Sequence, residues 1–244
     1  MKQNLITIIG GNGYIGRSIA KHAINRGFNV NCISRSGQVK DGSGQSHWDK
    51  KINHIKGDAL KPQEFKDILI HSDKIIHSVG ILRAQSDEQY VQLNRDSAVS
   101  IAKYVDELSQ QDNLARKFLM ISSSHYPPFM KRYLETKEEA EQIIKNETKL
   151  NYVILKPGFI YSAKERWWSS PLKGPVDLAF NIFGGKQCSN NIVKFESSIS
   201  LNEVCLAALY ALESEEITKA SLFNNDISKY AQMYKEKHNI IFTV

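Results

Sequence analysis

Ile6-Thr7-Ile8-Ile9-Gly10-Gly11-Asn12-Gly13-Tyr14-Ile15-Gly16 decides the reading of this chain: an apolar run feeds a GxxGxxG loop that opens an amphipathic stretch. The run Leu5 to Ile9 has the length and β-branched content of a buried strand. Ile15, Ile19, Ala20, Ala23 and Ile24 then recur with helical spacing, and Gly27 supplies a stop signal. Between strand and helix, a glycine is needed at the tight turn, another where backbone approaches a pyrophosphate, and a third where helix meets strand. The phosphate then sits at the helix N-terminus. Gly10, Gly13 and Gly16 fill those places, so the loop reads as a dinucleotide-binding βα turn.

Working outward, the chain has 244 residues, 41% hydrophobic and 24% charged, which fits one α/β domain with a substantial core rather than a disordered chain. No apolar run approaches the ~20 residues of a spanning helix. The first strand starts near residue 5, which leaves no room for a presequence ahead of it, so the expectation is that none exists or that it has been removed. Cys32, Cys188 and Cys205 have no metal-ligand spacing, and their odd, scattered count argues against a disulfide framework. The net charge of +6 is spread among acids, as in Lys131 to Glu141, which favours a solvated mixed face over a nucleic-acid groove.

Further strands are expected at Phe28 to Ile33, Ile52 to Lys56, Lys74 to Val79, Phe118 to Ser122 and Tyr152 to Leu155. Helices are expected at Ile15 to Arg26, Pro62 to His71, Glu88 to Ser109 and Tyr133 to Asn146. This alternation demands a largely parallel sheet covered on both faces, a doubly wound α/β fold. Ser36 to Ser46 reads as a loop. From Pro157 onward, Trp167-Trp168, Pro171, Gly174-Pro175 and Gly184-Gly185 break the regularity. The expected organisation is a single domain with a dinucleotide-binding core over residues 1–156 and a small substrate- or partner-side lobe over 157–244. Within the lobe, Leu201 to Leu212 is helical and a short strand lies near Leu222 and Phe223.

At the end of the second strand an acid would bind a free ribose 2′-hydroxyl. Ser34-Arg35-Ser36 stands there instead, and a guanidinium offers a 2′-phosphate a bidentate partner. NADP(H) is therefore favoured over NAD(H), unless Arg35 is simply a solvated loop arginine. Arg17 and Lys40 are further candidates for that pocket. Asp58, in Gly57-Asp58-Ala59, either accepts from the adenine amino group or caps the following helix. Gly80 ends the fourth strand, where its backbone passes close to a cofactor ribose or makes a plain turn. The cofactor-binding candidates are Gly10, Asn12, Gly13, Tyr14, Ile15, Gly16, Arg17, Ser34, Arg35, Asp58, Ala59, Gly80, Lys137 and Pro157. Tyr133 and Lys137 share a helix face at i and i+4, where an ammonium favours the phenolate and lets it exchange a proton with a carbinol oxygen. The fifth strand ends in Ser122-Ser123-Ser124, which puts a hydroxyl within reach of the phenol and the ammonium near a nicotinamide.

Gly10 to Gly16, Gly80, the serine-ended fifth strand, Tyr133 with Lys137, Lys156-Pro157-Gly158 and the late helix around Val204 together resemble the short-chain dehydrogenase/reductase family in its extended or atypical form, over essentially the whole chain. The runs Lys74 to Leu82 and Ile121 to Glu141 are most similar to members of the type found in the fungal coenzyme Q biosynthetic complex. The nucleotide-binding accessory subunit of mitochondrial complex I is a related type. That resemblance implies bound NADP(H), mitochondrial location on the matrix side of the inner membrane, protein partners there with at most peripheral membrane contact, and a quinone-like small molecule nearby. Active extended members separate the serine from the tyrosine by a longer segment, whereas only Pro127-Pro128 and a few other residues lie between Ser124 and Tyr133 here. Tyr133 and Lys137 would also hold the nicotinamide ribose in a protein that never turns over. Two readings follow. One is an accessory subunit with Trp167-Trp168 and Ala179 to Phe183 as partner surface, if these are not simply buried. The other is an NADPH-dependent reductase of a hydrophobic carbonyl using Tyr133, Lys137 and Ser124. A sugar-nucleotide epimerase is disfavoured by the short loop and small lobe.

Overall fold

The computed structural model describes residues 4–37, 49–124, 130–163, 166, 169–183 and 197–240, with backbone only for 179–183. Lys40, Pro127-Pro128, Trp167-Trp168, Gly184-Gly185 and Cys188 lie outside the described residues, as do most of the Ser36 to Ser46 loop and the side chains of Ala179 to Phe183.

The chain runs β1 (Leu5–Ile9), α1 (Tyr14–Ile24), β2 (Asn29–Ser34), β3 (Ile52–Lys56), α2 (Lys66–Ile70), β4 (Lys74–His77), α3 (Asp87–Tyr90), α4 (Ser97–Asp112), β5 (Lys117–Ile121), α5 (Lys131–Glu147) and β6 (Asn151–Leu155). It continues through β7 (Ile160–Tyr161), α6 (Lys173–Phe183), β8 (Ile199–Ser200), α7 (Leu201–Glu213), β9 (Ala220–Leu222) and α8 (Asn224–Lys237). Seven strands form one parallel sheet in the order β3-β2-β1-β4-β5-β6-β9. The expected doubly wound fold is the one observed. Because β2 and β3 lie on one side of β1 and β4 on the other, the chain reverses direction between β1 and β4. A crevice opens there at the carboxyl ends of the strands.

Strand residues alternate between two cores. Ile6, Ile8, Ile76, Leu119 and Val153 face α1, α7 and α8, while Ile9, Ile75, Phe118, Met120 and Ile154 face α2, α4 and α5. Both faces are apolar because helices cover both.

Three features depart from expectation. The helix expected over Glu88 to Ser109 is helical from Asp87 to Asp112 but widens into a π segment, Val91–Asp96, in its middle. Asn94 there is fully buried and pairs with both backbone groups of Ile81, donating to its carbonyl at 3.2 Å and accepting from its N–H at 2.8 Å. The extra residue in the turn aims that side chain inward. Second, within residues 157–244, read as a lobe packed on the core, β9 joins the main sheet itself by pairing with β6, and α7 packs on α1. Only the stretch carrying the short parallel β7–β8 pair and α6 lies beyond the main sheet. Third, α8 had no counterpart in the sequence reading. It is held by three spaced apolar residues, Ile227, Ala231 and Tyr234, each fully buried, and by the Tyr234 hydroxyl donating to Glu213 at 2.7 Å.

Candidate functional site

The glycine loop lies at the reversal point. Gly10 adopts φ +87°, open to glycine at little cost, and Gly13 donates to its carbonyl at 2.9 Å. Gly13 is the N-cap of α1 without a side-chain bond, no acid stands in the first turn, and Gly13 and Tyr14 border the crevice, an arrangement suited to an anion. Gly16 fits for a different reason: a Cβ there would lie 2.4 Å from the Gly10 carbonyl oxygen and 2.5 Å from Ser78 Oγ. Gly16→Ala must therefore push α1 away from the loop. We expect a loss of about 1–3 kcal/mol in stability, as for other overpacked contacts, together with weakened dinucleotide binding, read by urea denaturation and NADPH titration.

Two cavities follow the crevice. One, about 190 Å³, is bordered by Gly10, Ser34, Arg35, Asp58 and Ala59. The other, about 230 Å³, is bordered by Tyr14, Ile15, Tyr133, Lys137, Pro157 and Arg166. They meet at Gly13, Ser78, Val79 and Gly80, which border both. A larger cavity of about 630 Å³ opens at the opposite edge, among Asn4, Lys74, Lys117 and Asn151 at the strand N-termini. Ligands of open α/β sheets bind at the carboxyl ends, so the smaller pair is the candidate site.

At the first end, the Asn12 amide donates to Ser34 Oγ (2.7 Å), Ser36 Oγ (3.0 Å) and the Gly37 carbonyl (2.6 Å). Asn12 thus does not border either cavity; it fastens the turn that presents Arg35. Arg35 is exposed and makes no hydrogen bond or ion pair among the described residues. Asp58 accepts from the Leu60 N–H at 3.1 Å and borders the cavity; the helical turn Pro62–Phe65 that follows has Lys61 at its N-cap position and no side-chain cap, so Asp58 does not cap it. Arg17 lies outside both cavities, because it follows Gly16, whose face is pressed against the loop, and the next helical position turns away.

At the second end, Lys137 is buried, and its ammonium donates to the carbonyls of Val79 (2.9 Å) and Ile121 (3.2 Å). Burial pushes its pKa down to about 8, with the Glu141 carboxylate one turn on opposing that shift. Gly80 has ordinary φ; its lack of a side chain answers to crowding, since a Cβ would lie 3.1 Å from Lys137 Nζ and 3.2 Å from Asn94 Oδ1. That crowding comes from the chain's own side chains and leaves both readings of Gly80, the approach to a ribose and the turn, open. His77, fully buried, contacts Ser97 Oγ at 3.1 Å, and burial beside Lys137 holds it neutral, well below the usual histidine range.

Of the three serines, Ser122 and Ser123 border the cavity with Tyr133. Ser122 donates to Glu141 at 2.5 Å, and the buried Ser123 hydroxyl has no partner among the described residues. Ser124 is buried beyond them, its N–H on the Pro157 carbonyl at 3.0 Å, and does not border the cavity. Sequence reasoning chose Ser124 because three consecutive serines past a strand end carry no alternation to set their phase. Asn94 and Arg166 were also missed. Arg166 lies with its guanidinium carbon 3.8 Å from the Tyr14 ring centroid. Among the described residues no cluster of ligating side chains suits a metal, and no helix is long and apolar enough to cross a membrane.

A parallel sheet with a glycine loop at its reversal point, and a crevice there bordered by Gly13, Tyr133 and Lys137, has the architecture of a dinucleotide-binding fold. The chain belongs to the NAD(P)H-binding family, whose model matches residues 10–169. It is 26% identical over 182 residues to an uncharacterized chloroplastic protein of Arabidopsis thaliana, covering 73% of this chain and 57% of that one. The chain thus spans little more than half the length of that relative. It is 22% identical over 200 residues to MIOREX complex component 2 of Saccharomyces cerevisiae, covering 64% of this chain and 72% of that one. Among solved structures, ElxO with NADP bound superposes with TM-score 0.65 at 16% identity, over 91% of this chain and 97% of that one. A putative NAD-dependent epimerase/dehydratase from Bacillus halodurans gives 0.64 at 14%, over 94% and 99%. At such identities these structures share the fold alone.

Proposed function

We propose that this chain holds NADP(H) along the crevice as the resident nucleotide-binding member of a quinone-linked mitochondrial assembly. The observation that carries the binding reading is the pair of cavities meeting at Gly13, Ser78, Val79 and Gly80, with Arg35 at one end and Lys137 at the other. Bound there, the dinucleotide supplies a hydride donor or acceptor; the α1 N-terminus takes its pyrophosphate, Arg35 its 2′-phosphate and Lys137 its nicotinamide ribose. A ligand that binds only the folded state stabilises it by mass action, which suits a structural subunit. The assembly reading draws on the yeast relative, by name a component of a complex, and on the resemblance of Lys74 to Leu82 and Ile121 to Glu141 to members of the coenzyme Q complex.

A second reading, an NADPH-dependent reductase of a hydrophobic carbonyl or quinone, is favoured by Tyr133 and Lys137 bordering one cavity with the Ser123 hydroxyl. Purification without added nucleotide, identification of the dinucleotide released on denaturation, and NADPH oxidation with short-chain quinones separate the two. Retained NADP(H) without turnover supports the subunit; exchangeable cofactor with turnover makes the chain an enzyme. The cofactor preference has its own test. Arg35→Asp replaces a charge-assisted donor with a carboxylate, and NADPH should bind about 10- to 100-fold more weakly while NADH is spared, by fluorescence titration. Equal loss of both would contradict a 2′-phosphate contact.

A further inference from the structure

We propose that Arg166 is a cofactor-binding residue that reaches across from beyond the main sheet and holds the pyrophosphate of the dinucleotide against the start of α1. The inference rests on the dinucleotide reading above and adds to it a residue that the glycine loop does not predict. Three observations carry it.

The guanidinium is seated on the ring of Tyr14, 3.8 Å from its centroid, and Tyr14 is the first residue of α1. A cation is thereby fixed beside the helix end whose opening N–H groups have neither a side-chain cap nor an acid in their turn. Stacking uses the face of a guanidinium, whereas phosphate recognition uses its edge, so one side chain does both. Arg166 also borders the same cavity as Gly13, Tyr133 and Lys137.

The backbone that carries Arg166 is built rather than loose. Ser169, 1% exposed, donates through both its N–H (2.8 Å) and its hydroxyl (2.6 Å) to the Arg166 carbonyl, and accepts from the Ser162 N–H at 3.0 Å. Ser162 and Arg166 pair further as an antiparallel bridge. Buried hydroxyls thus fix the position from which the guanidinium extends to Tyr14. A surface arginine would need no such support. The helix end and the guanidinium seated beside it draw the same anion, so the phosphates meet two positive groups at one place.

The test measures dissociation constants of the full chain and of Arg166→Gln for two probes. NADPH carries the pyrophosphate; adenosine 2′-monophosphate keeps the adenosine end without it. We expect Arg166→Gln to weaken NADPH about tenfold or more, as for loss of a hydrogen bond to a charged group, and to leave adenosine 2′-monophosphate unchanged. Tyr14→Leu, which removes the seat, should weaken NADPH in the same direction and guards against a variant that merely folds poorly. Unchanged NADPH affinity in Arg166→Gln overturns the inference, and so does equal weakening of both probes, which would mark a purely structural stack. Wild-type chain that binds neither probe would instead sink the dinucleotide reading on which the inference stands.

Discussion

Lys156→Met is expected to lower the unfolding free energy by about 3 kcal/mol, toward the lower end of what breaking a buried ion pair costs. Lys156 follows β6 and is 7% exposed; its ammonium lies 2.9 Å from Glu141 Oε2, on α5, which is 1% exposed. The other carboxylate oxygen accepts from Ser122, just past β5, at 2.5 Å. One carboxylate therefore ties the helix that bears Tyr133 and Lys137 to the ends of two central strands. Removing the lysine strands that charge in a low-dielectric interior, and the cost of a lone buried charge exceeds the benefit of the pair. Lys145, at 3.6 Å from the same oxygen but partly exposed, offsets a share, which is why the lower figure is expected. The double replacement Lys156→Met with Glu141→Met should recover only part of the loss: it removes the stranded carboxylate but leaves the buried Ser122 hydroxyl without its acceptor and the buried Lys137 ammonium without its nearest carboxylate. Urea denaturation at neutral pH reads the effect as a lower midpoint at unchanged slope. A change below about 1 kcal/mol would mean the pair is solvated in the folded protein.

The glycine loop and the alternation of short apolar runs with helical ones were enough to place β1 through β6 within a residue or two of their observed ends. Those elements are legible because each carries a local signal: β-branched runs such as Leu5 to Ile9 suit a buried strand, and the spacing of Gly10, Gly13 and Gly16 marks the turn, even though part of the crowding at Gly10 and Gly16 comes from the distant Ser78. What escaped depends on contacts between residues far apart in the chain. The π segment exists because Asn94 finds the backbone of Ile81, and no helical period announces that. Helix α8 offers Ile227, Tyr230, Ala231 and Tyr234 as a sparse apolar face, and its stability comes from packing on α7 rather than from propensity. At the site, Tyr133 and Lys137 were found from their i, i+4 spacing. The choice among three serines, and the pairing of Arg166 with Tyr14, required knowing where a strand end and a distant loop come to rest.

Should NADPH oxidation be observed, Tyr133→Phe is expected to lower it by about 10³-fold while changing the NADPH dissociation constant less than threefold, within the usual contribution of a general acid. The substitution removes one oxygen from a ring that is 7% exposed and keeps the shape of the wall. A reference phenol, with a pKa near ~10, gives and takes protons slowly at neutral pH. Lys137 shares its helix face and cavity, and a positive charge there favours the phenolate, bringing the group into range. Burial holds the Lys137 ammonium at a pKa of about 8. Below that pH the charge is present, and above it the charge is lost, so kcat/KM of the wild type should fall as pH rises through about 8. Tyr133→Phe should flatten that decline, because without a phenol the ammonium has no proton transfer left to assist. Turnover that survives in Tyr133→Phe with the wild-type pH profile would remove Tyr133 from the chemistry. The crevice would then be a place where the nucleotide is held rather than consumed, with Lys137 retained to bind ribose and Glu141 to keep that lysine charged.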